Sequence, residues 1–157
     1  MMKKNFEKIV EAAIDLENTM SGLYVYFSNR FPEDFEFWEQ LRIEELNHAS
    51  LLKTIKNLAK VNLLPEGLVL EDIDDYEQTI KYINDSMNEE RIPNRDTAFE
   101  LAFNIEKSSG ELHYQETATK KDPDEITRIF IRLNGMDLDH ANRILEYQKS
   151  GKSTKSQ

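Results

Sequence analysis

The sequence predicts an all-α protein, an antiparallel four-helix bundle with one long crossover between the second and third helices. Three observations predict it. Four apolar stripes recur at alternating steps of three and four residues, the repeat that lines one face of an α-helix. The links between the first and second stripes, and between the third and fourth, are only a few residues long, which forces antiparallel hairpins. The link between the second and third is about 35 residues. That is enough to travel the length of a bundle, since a helix of about 25 residues spans roughly 37 Å.

The first helix is expected over residues 3–31, where Phe6, Val10, Ala13, Glu17, Met20, Tyr24, Phe27 and Phe31 share one face and Pro32 ends the run. The second, over 33–60, opens on Pro32-Glu33-Asp34, whose acids suit the positive end of a helix. Its stripe is Trp38, Leu41, Glu45, His48, Leu52, Ile55 and Ala59. The period breaks across the crossover, 61–94, at Pro65, Gly67 and Pro93. A short helix is expected there from Tyr76 to Asn88, and the acidic run Glu71 to Asp75 reads as a solvated loop leading into it.

The third helix, over 95–120, follows a cap at Asn94 or Asp96 and carries Phe99, Ala102, Glu106, Ser109 or Gly110, and His113. Asp122-Pro123-Asp124-Glu125 starts the fourth, over 123–149, with Asp122 as N-cap, proline at the first helical position and Glu125 three residues after the cap. Its stripe is Ile126, Phe130, Leu133, Asp137, His140, Ile144 and Tyr147. One domain, 1–150, is expected, with 151–157 as a flexible tail.

Composition narrows the function. With 39% apolar and 32% charged residues, only 5 glycines and 4 prolines and a mean hydropathy of -0.66, the chain reads as a soluble helical protein. No apolar run has the length of a membrane span. Met1-Met2-Lys3-Lys4 leads into a stretch holding Glu7, Glu11 and Asp15 rather than an apolar signal core, so a cytoplasmic location is expected. The absence of cysteine removes disulfides, iron–sulfur ligation and thiolate zinc sites. A net charge of -10 disfavours nucleic acid and anionic membranes as partners.

Six side chains stand on the inward stripes where apolar residues belong: Glu17, Glu45, His48, Glu106, Asp137 and His140. Folding the stripes together carries four carboxylates and two imidazoles into one interior, a set very costly to bury without a cation. A carboxylate and an imidazole three residues apart share a helix face, so Glu45 with His48 and Asp137 with His140 each reach one level of the bundle. One carboxylate from each of two helices, plus a carboxylate-x-x-His pair from each of the other two, is the ligand pattern of a two-metal site. Two divalent ions balance the four carboxylates. Oxygen and nitrogen ligands are compatible with iron or manganese, and iron is the first expectation.

The halves of the chain also match. Ala13-Ile14-Asp15-Leu16-Glu17 aligns with Ala102-Phe103-Asn104-Ile105-Glu106, and Glu45-Leu46-Asn47-His48-Ala49 with Asp137-Leu138-Asp139-His140-Ala141. A duplicated hairpin predicts a pseudo-twofold axis supplying matched ligands.

On Leu16-Glu17, Glu44-Glu45-Leu46-Asn47-His48-Ala49, Ile105-Glu106-Lys107 and Asp137-Leu138-Asp139-His140-Ala141, the chain resembles the ferritin-like superfamily, and within it the rubrerythrin-like di-iron proteins. The resemblance runs from Phe6 to Tyr147. It implies two iron ions as cofactor, bridged by Glu45 and Asp137, with Glu17 and Glu106 as terminal ligands and His48 and His140 each on one metal. It implies hydrogen peroxide or dioxygen as the oxidant, and no catalytic residue beyond the ligands. A homodimer is expected.

Three departures stand out. Asp137 replaces the usual Glu and is one methylene shorter; Ser109 stands where many rubrerythrins carry a further Glu; and no cysteine-rich rubredoxin domain is present, so turnover needs an external electron donor. Three other readings compete with this oxidoreductase. They are iron storage of the ferritin kind, a manganese catalase, and a metal-free interaction bundle with a vestigial site.

Several residues near the stripes are set aside. His113 reads as a core-edge histidine with a hydrogen-bond partner rather than a ligand. Tyr24, Trp38 and Phe130 read as packing layers. Glu44 and Asp139 point about 100° away from the ligand stripe, toward another face.

Overall fold

The computed structural model describes residues 2–61, 64, 65, 68, 71–113 and 122–153. These form five helices: α1 (Met2–Arg30), α2 (Phe35–Val61), α3 (Ile73–Ser86), α4 (Arg95–His113) and α5 (Glu125–Ser153). Among the described residues there is no strand, and no helix is long and apolar enough to cross a membrane. The stretch 114–120 assigned to the third predicted helix lies outside the described residues, as does 154–157 of the predicted tail.

Local chemistry sets the helix boundaries. Pro32 has no N–H to continue α1, and a 3-10 turn over Pro32–Asp34 turns the chain into α2. Asp72 caps α3 by accepting from the Asp74 backbone N–H at 3.4 Å, so this helix begins three residues before the expected Tyr76. Asn94 caps α4, its Oδ1 accepting from the Thr97 N–H at 3.0 Å. The start of α5 differs from expectation. Asp124, not Asp122, is the cap, accepting from the Thr127 N–H at 2.9 Å and the Thr127 hydroxyl at 2.8 Å. Pro123 therefore precedes the cap, and Asp122 is left to pair with Arg128 at 2.7 Å.

Cross-helix contacts fix the directions of the helices. Lys56 meets Glu11 and Ser21 meets the Arg42 carbonyl, so α1 and α2 run antiparallel. Ser109 meets Asp137 and Gln148 meets Asp96, so α4 and α5 do too. Between α2 and α5, His140 meets Glu45 and Asp137 meets His48, and between α1 and α4, Tyr24 meets Glu106 and Glu17 meets His113, so these pairs are antiparallel as well. The crossover helix α3 packs on α1 and α4. It buries Tyr76 and Ile83, and the Tyr76 hydroxyl donates to the Leu112 carbonyl at 3.3 Å.

The core follows the stripes. Every stripe residue of α1 and α2 is buried, as are Phe99, Ala102, Ile126, Phe130, Leu133 and Ile144. A layer of rings closes one side of the ligand cluster: Trp38 lies 4.5 Å from Phe99, 4.9 Å from Phe27 and 5.6 Å from Tyr24, centroid to centroid. Offset and tilted ring pairs of this kind pack tightly and exclude water.

Candidate metal centre

All six predicted ligands occupy the interior. Glu17, Glu45, Glu106 and Asp137 are fully buried, and His48 and His140 are 2% and 1% exposed. Each sits on the inward stripe of its helix, one position in a run of apolar neighbours, so the packing that buries Leu41, Leu52 and Leu133 buries them as well.

They also converge. His48 Nδ1 lies 3.1 Å from Glu45 Oε2, 3.3 Å from Glu17 Oε2 and 3.3 Å from Asp137 Oδ1. His140 Nδ1 lies 2.9 Å from Glu45 Oε1 and 3.3 Å from Glu106 Oε1. The two imidazoles stack, with centroids 5.0 Å apart and planes 14° from parallel. Ligand atoms of Glu45, His48, Asp137 and His140 fall within 4.8 Å of one another, and so do those of Glu17, His113 and Asp137. Asp137 belongs to both groups. Shorter than Glu, it still faces two histidines, Oδ1 toward His48 and Oδ2 3.3 Å from His113.

The electrostatics describe a site short of positive charge. Burial raises Glu17 to about 8 and Asp137 to about 7, because a desolvated carboxylate surrounded by others holds its proton. Burial alone would lower both stacked histidines, yet the carboxylates around them outweigh it. They hold His140 up at about 11 and His48 above its ordinary value as well. Protons thus occupy the place a cation would take.

Many of these polar atoms make no hydrogen bond with a described residue: both oxygens of Glu17, Glu45 Oε2, Glu106 Oε2, Asp137 Oδ1 and His48 Nδ1. Buried polar atoms left this way cost about 1–3 kcal/mol each. A cation held by oxygen and nitrogen satisfies all of them together, so the donor set fits a metal ion.

Three residues set aside on sequence belong to the site. His113 is not at the core edge but fully buried, its Nε2 3.5 Å from Glu17 Oε1. Neither of its ring nitrogens makes a hydrogen bond with a described residue. Burial and the nearby His48 hold its pKa down to about 3, leaving it neutral. Its seven-residue step from Glu106 was visible in the sequence. What was not visible is that antiparallel α1 brings Glu17 alongside it.

Tyr24 packs on Trp38 as expected but also donates its hydroxyl proton to Glu106 Oε1. Burial, and then the Glu106 charge, hold the phenol pKa well above its usual value, so Tyr24 remains a donor. Glu44 does leave the ligand stripe, but the face it points to is packed on α5. Its Oε2 lies 2.6 Å from His140 Nε2 and accepts from Arg143 Nη1 at 2.7 Å.

A cleft of about 430 Å³ between α2 and α5, with Glu44, His48, Arg132 and Met136 in its wall, connects the surface to one imidazole of the cluster. No family model matches the chain, and neither a curated protein nor a solved structure matches it significantly.

Proposed function

We propose that the protein is a di-iron carboxylate oxidoreductase that reacts ferrous iron with hydrogen peroxide or dioxygen, in a four-helix bundle of the ferritin-like kind. Four helices in the order α1, α2, α5, α4, each antiparallel to its neighbours around one buried polar cluster, support the fold reading, with α3 in the crossover. The observation that carries the functional reading is the set of four carboxylates and two stacked imidazoles, all at most 2% exposed, with both Glu17 oxygens, one oxygen each of Glu45, Glu106 and Asp137, and His48 Nδ1 lacking a hydrogen bond to any described residue.

Glu45, His48, Asp137 and His140, grouped within 4.8 Å, would hold one ion, in place of the one histidine on each metal that the resemblance implies, with Glu17 and Glu106 reaching the centre from α1 and α4. When bound, a pair of ferrous ions supplies the two electrons that reduce the O–O bond of peroxide to two waters on uptake of two protons. The chain's own residues prepare that reaction. Tyr24 fixes Glu106 by hydrogen bond, the Trp38–Phe99 layer excludes water from one side, and the cleft beside His48 admits a small oxidant. With no cysteine in the chain to hold an iron–sulfur or rubredoxin-type centre, an external donor returns the electrons.

Elemental analysis of protein purified without oxygen tests the reading. Two equivalents of iron per chain are expected, with both oxidised by one equivalent of peroxide. Protein that takes up no iron, or iron that peroxide leaves ferrous, would overturn it. Two equivalents of manganese with rapid peroxide dismutation would favour the catalase reading instead.

A further inference from the structure

We propose that His113 is itself a metal ligand, so that Glu17, His113 and Asp137 hold one cation while Glu45, His48, Asp137 and His140 hold the other. The inference rests on the two-metal reading above and changes its ligand set. The centre becomes a three-histidine, asymmetric one with Asp137 between the two cations.

The geometry of the second group carries it. His113 Nδ1 is 3.3 Å from Asp137 Oδ2 and Nε2 is 3.5 Å from Glu17 Oε1. Ligand atoms of the three side chains lie within 4.8 Å of one another. Two ligands each about 2.1 Å from one ion lie at most about 4.2 Å apart, so one ring nitrogen of His113 with a carboxylate oxygen from each of Glu17 and Asp137, grouped within 4.8 Å, can close on one ion with little movement. His113 is fully buried, and both ring nitrogens lack a hydrogen bond to any described residue. A buried imidazole that served packing alone would be expected to have at least one nitrogen bonded.

The comparison with Tyr24 sharpens this. Tyr24 lies seven residues after Glu17, as His113 lies seven after Glu106, so the internal duplication makes the two residues counterparts. The counterparts behave differently. Tyr24 donates to Glu106, whereas His113 makes no hydrogen bond to Glu17. A phenol in that place can orient a ligand; a neutral imidazole can also offer a lone pair to a metal. Asp137 is well placed between the two groups because Ser109 donates to its Oδ2 at 3.2 Å while Oδ1 remains unbonded.

The chain has three histidines, which permits a test without substitution. Protein with ¹⁵N-labelled histidine is titrated with zinc(II), a diamagnetic probe, and the ring nitrogens are followed by NMR. Coordination shifts at all three imidazoles by two equivalents are expected. Shifts at His48 and His140 alone would overturn the inference while leaving the metal centre intact. No shift at any histidine, with no zinc retained on dialysis, would overturn both.

In a second arm, cobalt(II) binding to the folded His113→Gln variant is compared with wild type. The amide keeps a hydrogen-bond donor but is a poor ligand. One of two equivalents should weaken at least tenfold, and two equivalents bound as in wild type would show that His113 is not a ligand.

Discussion

Glu44 Oε2 lies 2.6 Å from His140 Nε2, on the side of the ring away from the buried carboxylates that face Nδ1. With a metal on Nδ1, the proton of the neutral imidazole resides on Nε2 and points at Glu44, which fixes both tautomer and ring orientation. Arg143 holds Glu44 in turn, with Nη1 donating to Oε2 and Nη2 to Oε1 at 3.2 Å. Burial would raise the Glu44 pKa, but Arg143 and His140 bring it below the usual value, so it stands ready as an anion.

The Glu44→Gln variant keeps the shape and removes the charge. Metal affinity should fall about 10–100-fold with helical content unchanged, as read by competition with a chelator of known strength. Affinity equal to wild type would show that Glu44 only pairs with Arg143.

Glu45 faces both stacked imidazoles, 2.9 Å from His140 and 3.1 Å from His48. No other carboxylate in the cluster approaches both within 3.2 Å among the described residues. Glu45→Ala should therefore lose at least one equivalent of bound iron and with it peroxide-dependent oxidation, while circular dichroism remains that of a helical protein. Full activity in the folded variant would remove Glu45 from the centre.

The metal-free protein should lose stability as pH rises from about 7 to 9. Glu17 and Asp137 are held up at about 8 and about 7, His140 at about 11, and His48 above its ordinary value. Each folded-state pKa exceeds its unfolded counterpart. The folded chain therefore holds more protons than the unfolded chain across this range, and the stability those protons supply is present at low pH and lost as pH climbs. His113, lowered to about 3, acts in the opposite sense but only below its ordinary value of 6.5.

Each proton of difference is worth about 1.4 kcal/mol per pH unit. Thermal melts of chelator-treated protein across this range should show a falling midpoint, restored by iron(II) or manganese(II) through mass action. A midpoint that rises with pH would mean the cluster is not protonated in this way.

The stripes that place Glu17, Glu45, His48, Glu106, Asp137 and His140 indoors are readable in the sequence because helix periodicity assigns a face to each residue. Periodicity does not say what stands opposite. Glu44 was set aside for lying 100° from the stripe, yet that direction leads into α5 and His140. His113 was read as a core-edge residue because its only sequence-visible relation is to Glu106, on its own helix. Its contacts with Glu17 and Asp137 depend on the register of α4 against α1 and α5. The Asp124 cap was missed for a related reason. Two acids flank Pro123, and only the position of Thr127 decides between them.

Asp34 illustrates a long-range link that no local pattern reveals. It reads as an acid at a helix start, but it is only 3% exposed and accepts from Arg95 Nε at 2.6 Å and Nη2 at 2.9 Å. The guanidinium also lies 4.4 Å from the Phe99 ring centroid. This fork joins the turn after α1 to the first residue of α4.

Asp34→Ala leaves a partly buried guanidinium without its acceptor and should cost about 2–3 kcal/mol. For a domain of this size that lowers the melting midpoint by about 5–10 °C. Because the Trp38–Phe99 layer separates the pair from the ligand cluster, bound-metal stoichiometry at moderate temperature should be unchanged. A variant as stable as wild type would show the fork to be dispensable. One that is stable but metal-poor would show that register, rather than stability, is what the fork controls.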